Sequence, residues 1–294
     1  MMRKCMSILA NPLPSYFLVI VVSMLVFTGS SSAQEEEIRI IVRGDDMGMT
    51  HEANMAFLKA FEEGVLTCGA VQVPAPWFEE AAELARKNPH WCVGVHLCLI
   101  GEWRGYRWRP VLPWDKIPSL VDEDGFLYRY PNELAEHNPD PAEIEAELRA
   151  QIELAKKKGI DIGYIDVHYG GIPREIVQKL GKEYNVPLSR GMGEKSFPNV
   201  YMVPVDEKIA VATKNLEEAQ PGLWMWMCHI GIDSPAQDAL IHTMPEHIFP
   251  GEGVGKHRAA ELATLTSIQV KSMILKRGIK LVSYRDLWEE QNKK

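Results

Sequence analysis

The chain has 294 residues and carries 32 Lys and Arg against 40 Asp and Glu, a formal net charge of −8 at pH 7. A basic footprint for nucleic acid is therefore lacking, and nucleic acid is excluded as an expected partner. The Cys of the chain follow no CxxC spacing, and Cys68, Cys92, Cys98 and Cys228 each sit among apolar neighbours, so buried thiols are expected rather than a metal cluster or a disulfide framework.

At the N-terminus, Arg3 and Lys4 precede the uncharged run from Phe17 to Phe27, small residues follow to Ala33, and an acidic stretch opens at Gln34. That is the layout of a signal peptide, with an apolar core shorter than the roughly 20 residues that cross a bilayer. The expectation is a leader over 1–33, cleaved after Ala33, with an exported product, periplasmic or extracellular, that has no stable membrane insertion. An uncleaved anchor is the alternative. Loss of Arg3 and Lys4 would take the charge from −8 to −10. The remainder, 34–294, contains no low-complexity linker or repeat and suits one α/β domain.

Ile38 to Val42 is β-branched and apolar, and it predicts a strand that delivers Asp45 and Asp46 into a loop after Gly44. A helix over 52–63 closed by Gly64, a strand over 70–73, a helix over 76–87 and a strand over 91–99 follow. Between Gly101 and Pro118 lies a loop rich in Trp and Arg. A long amphipathic helix begins near Pro141, places Ile144, Leu148, Ile152 and Ala155 on one face, and ends at Lys156-Lys-Lys-Gly159. Further strands are expected over 162–167, 186–189, 223–228 and 279–283, and helices over 174–184 and 258–276. About seven strands alternating with helices predict an α/β fold of parallel strands, either a distorted TIM-like (β/α) barrel or an open doubly wound sheet.

Polar residues interrupt these apolar strands at their C-terminal ends. Asp45 and Asp46 end the first, His96 breaks Val93-Gly-Val-His-Leu, Asp166 and His168 share Ile-Asp-Val-His, and His229 ends Trp-Met-Cys-His. In a parallel barrel those ends gather on one face. Imidazoles with a carboxylate and open positions suit a catalytic divalent metal. Taken singly, each has a blander reading, a hydrogen-bonded core His or a turn-capping Asp.

The order of these motifs resembles the YdjC-like carbohydrate deacetylases, which include chitooligosaccharide deacetylase. Val42-Arg-Gly-Asp45-Asp46-Met-Gly looks like the family's Asp-Asp-Phe-Gly strand end, and the likeness continues through Asn54, Gly64-Val-Leu-Thr67, Val93-Gly-Val-His96, Gly125-Phe, Ile165-Asp-Val-His168, Val186-Pro-Leu-Ser-Arg190, Cys228-His229, Arg258 and Glu261. It covers nearly the whole of 34–294 and favours the barrel, as a single domain. The resemblance implies a metal-dependent hydrolase that removes acetyl groups from N-acetylated amino sugars. It implies one divalent ion, Mg or Zn, held by Asp46, His96 and His168, with Asp45 as general base and His229 as general acid.

Around these, Asp166 is expected either to orient a ligand imidazole or to make an ordinary structural hydrogen bond, and Arg190 either to grip substrate oxygen atoms or to form a surface ion pair. Trp103, Trp108 and Trp114, with Arg104, Arg107 and Arg109 between them, could stack on sugar rings or simply pack their own loop. One departure is plain: His168 is followed by Tyr169-Gly-Gly where the family has a His-rich run. This leaves open a hydrolase of another amide, ester or glycan bond, or a carbohydrate-binding relative without turnover.

Overall fold

The computed structural model describes residues 37–244, 249 and 252–293. The expected leader over 1–33 lies outside the described residues. Chain order is β1 (Ile38–Met47), α1 (His51–Glu63), β2 (Cys68–Val71), α2 (Phe78–Lys87) and β3 (Cys92–Leu97), then α3 (Pro131–Glu136), α4 (Pro141–Lys157), β4 (Ile162–Val167) and α5 (Arg174–Tyr184). The second half runs β5 (Lys195–Ser196), α6 (Lys208–Glu217), β6 (Gly222–His229), α7 (Pro235–Asp238), α8 (Val254–Thr266), α9 (Ile268–Lys276), β7 (Lys280–Leu281) and α10 (Tyr284–Asn292).

These strands form one seven-stranded sheet in the order β4-β3-β2-β1-β6-β5, with β7 also on β1, and each pairing is parallel. The sheet is curled into a half-barrel wrapped by helices, so the expected barrel is present in a partly open form. β1 lies at its centre and alternates: Ile40 and Val42 pack outward against the helices, whereas Ile41 joins Cys68, Cys92, Tyr164 and Tyr284 inside. Gly94 of β3 must be glycine because a Cβ there would come within 2.6 Å of the Tyr164 ring. The four described cysteines are free and buried, as expected.

Three expectations are corrected, and the two readings of the Trp loop are narrowed. β1 does not stop before the two carboxylates but runs on to Met47, because β6 stays paired with it as far as Asp45 opposite His229. Residues 186–189 make only an isolated parallel bridge, Ile165 to Leu188, since Arg190 turns the chain away at φ 61°. The helix expected over 258–276 is two, divided at Ser267, which has extended ψ 145° and whose hydroxyl caps α9 by accepting from Val270 N. Trp103 and Trp108 are buried at 0% and 3% exposure, and their loop is fixed from α4. There Glu147 accepts from Val111 N and Leu112 N, both at 2.9 Å, while Gln151 accepts from Cys98 N at 3.0 Å and donates to Cys98 O at 2.7 Å.

Candidate metal centre

The C-terminal end of β1 sets the site. Consecutive side chains of a regular strand point to opposite faces, which would separate Asp45 from Asp46. Here the register against β2 shifts between Gly44 and Met47, and Asp46 takes φ 70°, a region Asp tolerates better than most residues. Both carboxylates consequently reach the mouth of the half-barrel and line one small pocket of about 110 Å³.

Asp46, His96 and His168 converge. His96 Nε2 lies 3.1 Å from His168 Nδ1, and Asp46 Oδ1 lies 3.4 Å from His168 Nδ1 and 3.9 Å from His96 Nε2. Ligands about 2.1 Å from one ion stand about 3.0–3.4 Å apart in octahedral or tetrahedral arrangement, so these three atoms fit a divalent cation with little movement. Charge agrees with geometry. Asp45, Asp46, Glu102 and Asp166 are buried together, and among the described residues the Lys and Arg side chains bonded to them are Arg43 and Arg258; with the imidazoles neutral, that is a formal excess of two negative charges that a dication would balance.

Each donor is oriented by a partner. Asp46 Oδ2 accepts from Arg258 Nη2 at 2.7 Å. Burial alone would raise this carboxyl, but Arg258, then His229 and His168, hold it below the usual range. His168 Nε2 sits 3.2 Å from Glu102 Oε2; burial opposes the imidazolium, yet the Glu102 and Asp46 carboxylates leave the His168 pKa raised. Such a carboxylate behind a ligand imidazole fixes its tautomer. Asp166 stands behind His96, not His168: its Oδ2 lies 2.7 Å from His96 Nδ1, a close polar contact.

Asp45, His96 and Asp166 also come close enough to share an ion. A guanidinium already stands there. Arg43 donates to both Asp45 oxygens at 2.7 Å and to Asp166 Oδ1 at 2.6 Å, leaving the Asp46 cluster as the candidate centre. Burial raises the Asp45 pKa even though Arg43 pulls it down. His229 lines the same pocket as Asp45 and Asp46. Burial pushes its pKa down to about 3, so its ring is neutral at pH 7.

Beside the centre opens a larger cavity of about 550 Å³, bordered by Arg43, Asp45, Asp166, His168, Ser189 and Arg190, within the ~300–1,000 Å³ range of small-molecule sites. Arg190 is exposed at its rim and donates to Ser196 Oγ at 3.0 Å. Of the two readings of the Trp loop, the burial of Trp103 and Trp108 supports packing within the loop. Trp103 walls the small pocket under Arg258, whose Cζ lies 5.4 Å from the ring centre, Trp108 donates to Ile100 O at 3.0 Å, and the exposed one, Trp114, packs on Gly125 away from the centre.

Sequence reasoning missed Arg43, Gln72 and Glu102. Arg43 and Gln72 carry the same signal as His96, a polar side chain in or just beyond an apolar strand, and Glu102 follows β3 by a few residues.

Comparison with known proteins agrees with the order of these motifs. The profile of the YdjC-like protein family matches residues 39–276. A protein of Brevibacillus brevis named carbohydrate deacetylase is 29% identical over 266 residues, covering 85% of this chain and all of its own length. Another of that name, from Enterococcus faecalis, is 29% identical over 268 residues, covering 85% of this chain and 98% of that one. A crystal structure from Enterococcus faecalis V583, of a protein provisionally named for cellobiose-phosphate cleavage, superposes with a TM-score of 0.67 at 25% identity and covers 86% of this chain and 99% of that one. With more than half of its length matched to the profile, the chain belongs to the YdjC-like protein family.

Proposed function

We propose that this protein is a metal-dependent carbohydrate deacetylase that acts on N-acetylated amino sugars or oligosaccharides outside the cytoplasm. The observation that carries the reading is the convergence of Asp46, His96 and His168, of which Asp46 and His168 line one pocket with Asp45 and His229, in a chain whose relatives are named carbohydrate deacetylases. Asp46, His96 and His168 would hold the ion, which supplies positive charge for a developing oxyanion and acidifies water. Asp45 is the proton acceptor. Its bidentate bond to Arg43 fixes its direction, and burial keeps it more basic than an ordinary carboxylate. His229 is neutral in the free protein, so its role as acid toward the departing amine requires a proton taken up with substrate. Arg190 and Ser189 border the adjoining cavity, where a sugar's hydroxyl groups would lie.

A second reading has the same residues hydrolyse another bond of a carbohydrate. It is favoured by Tyr169-Gly-Gly after His168 and by the name of the Enterococcus structure. Both readings are tested by one experiment: the metal-loaded protein is incubated with N-acetylated oligosaccharides, and released acetate is measured beside new reducing ends and phosphate. Acetate is the expected product. Reducing ends or phosphate without acetate would replace the first reading by the second, and no product from protein with a full complement of metal would remove both.

A further inference from the structure

Gln72 lies one residue beyond β2 and is completely buried. Its Nε2 is 2.9 Å from Asp46 Oδ1 and 2.9 Å from His168 Nδ1, while its Oε1 is buried with no hydrogen-bond partner among the described residues. The two atoms it touches are donors of the candidate metal centre. His168 Nδ1 has a single lone pair, and it cannot both accept from an amide N–H and bind a cation.

Filling the centre therefore breaks the bond between Gln72 and His168, and it brings a positive ion toward an amide nitrogen that has only protons to offer. A half-turn of the terminal torsion exchanges the amide oxygen and nitrogen in nearly the same volume. That turn relieves the clash: it gives up the Nε2 contacts to Asp46 and His168, but no bond at Oε1, which has no partner among the described residues. The contact distances of 2.9 Å match the ~3.0 Å edge between adjacent ligands of an octahedral ion.

From this geometry we infer that Gln72 is a fourth protein ligand, binding the ion through its side-chain oxygen. The inference rests on the assignment of Asp46, His96 and His168 as ligands. Its chemical consequence is selectivity. A fourth, neutral oxygen donor beside two imidazoles and a carboxylate suits ions that accept five or six ligands, such as Mn(II), over ions that favour a four-coordinate site with three protein ligands and one open position.

Two measurements decide it without reference to activity. Mn(II) affinity is titrated by EPR for the wild-type protein, Gln72→Met, Gln72→Asn and His96→Ala, and the Mn(II)-loaded wild-type protein is crystallised. Expected are Oε1 within about 2.3 Å of the ion and at least a 10-fold loss of affinity in both Gln72 variants. Asn keeps the amide but is one carbon too short, so it covers the case in which Met does not fold. Wild-type affinity in the Gln72 variants, with binding lost in His96→Ala, would overturn the inference and leave the three-ligand centre intact. An ion bonded to Asp46, His96 and His168 with Gln72 still presenting its nitrogen would do the same. A wild-type protein that takes up no Mn(II), Zn(II), Co(II) or Mg(II) would overturn both.

Discussion

Asp45 and Asp46 are chemically identical neighbours with different fates, and the difference lies in what each oxygen meets. Asp46 meets Arg258 on one oxygen and the two imidazoles on the other, whereas both Asp45 oxygens face Arg43. The sequence makes the pair legible as a candidate site only through its company, since an Asp pair at a strand end is by itself often a turn or cap, whereas His96, His168 and His229 fall at other strand ends. It could not show the guanidiniums, since Arg43 hides in the strand and Arg258 arrives from α8. A second buried carboxyl has its own consequence. Glu261 accepts from His229 N at 2.5 Å, its Oε1 has no hydrogen-bond partner among the described residues, and burial raises its pKa from 4.5 to about 7. A group whose folded-state pKa lies above its unfolded value contributes stability in full below about pH 4.5 and loses it as pH rises through about 7. Glu261→Gln keeps the acceptor for His229 N without the charge. It should leave stability near pH 4 unchanged and add on the order of 3 kcal/mol at pH 8. Denaturant unfolding across that range checks it, and a difference that does not grow with pH would show that Glu261 is already ionised in the fold.

Elements were read correctly where one rule governs them and incorrectly where two compete. The amphipathic helix from Pro141 is present as α4, with Ile144, Leu148, Ile152 and Ala155 buried, and 162–167 and 174–184 appear with the expected bounds. Periodicity alone decides those segments. In 258–276 the apolar period continues through Ser267, and the side-chain cap on Val270 N prevails over it. The same competition explains the Trp loop, which is polar by sequence but is pulled inward by two polar residues on the buried face of α4, Glu147 and Gln151. Gln151 satisfies both backbone groups of Cys98, just past β3, and so holds the strand that carries His96. Gln151→Leu preserves the volume and the apolar surroundings but leaves a buried N–H and C=O unpaired. It should cost about 2–6 kcal/mol, from 1–3 kcal/mol for each of the two unsatisfied groups. Urea unfolding measures the loss, and a cost below about 0.5 kcal/mol would mean that the loop stands on its own aromatic contacts.

At the scale of the whole molecule, the parallel sheet is what turns scattered motifs into one centre. Each ligand candidate lies at or just beyond the C-terminal end of a different strand, Asp46 on β1, His96 on β3 and His168 after β4, and parallel strands place all such ends on the same side. The sequence implied this convergence from the alternation of strands and helices, though it could not measure it. The energetic consequence is that folding assembles an excess of buried negative charge and two imidazoles in one spot. A cation at the candidate centre would relieve that cost, because it would bind the folded chain and not its dispersed ligands. An ion at about 100 times its dissociation constant adds about 2.7 kcal/mol to stability, which for a chain of this size is a rise in Tm of roughly 5–10 °C. Differential scanning fluorimetry of chelator-treated protein with added Mn(II) or Zn(II) should show that rise. His96→Ala should remove it, while a variant at an exposed residue far from the centre, such as Lys214→Ala, should keep it. An equal rise in His96→Ala would place the stabilising ion elsewhere on the molecule, and no rise in the wild-type protein would mean that the ring of carboxylates is balanced by Arg43 and Arg258 alone.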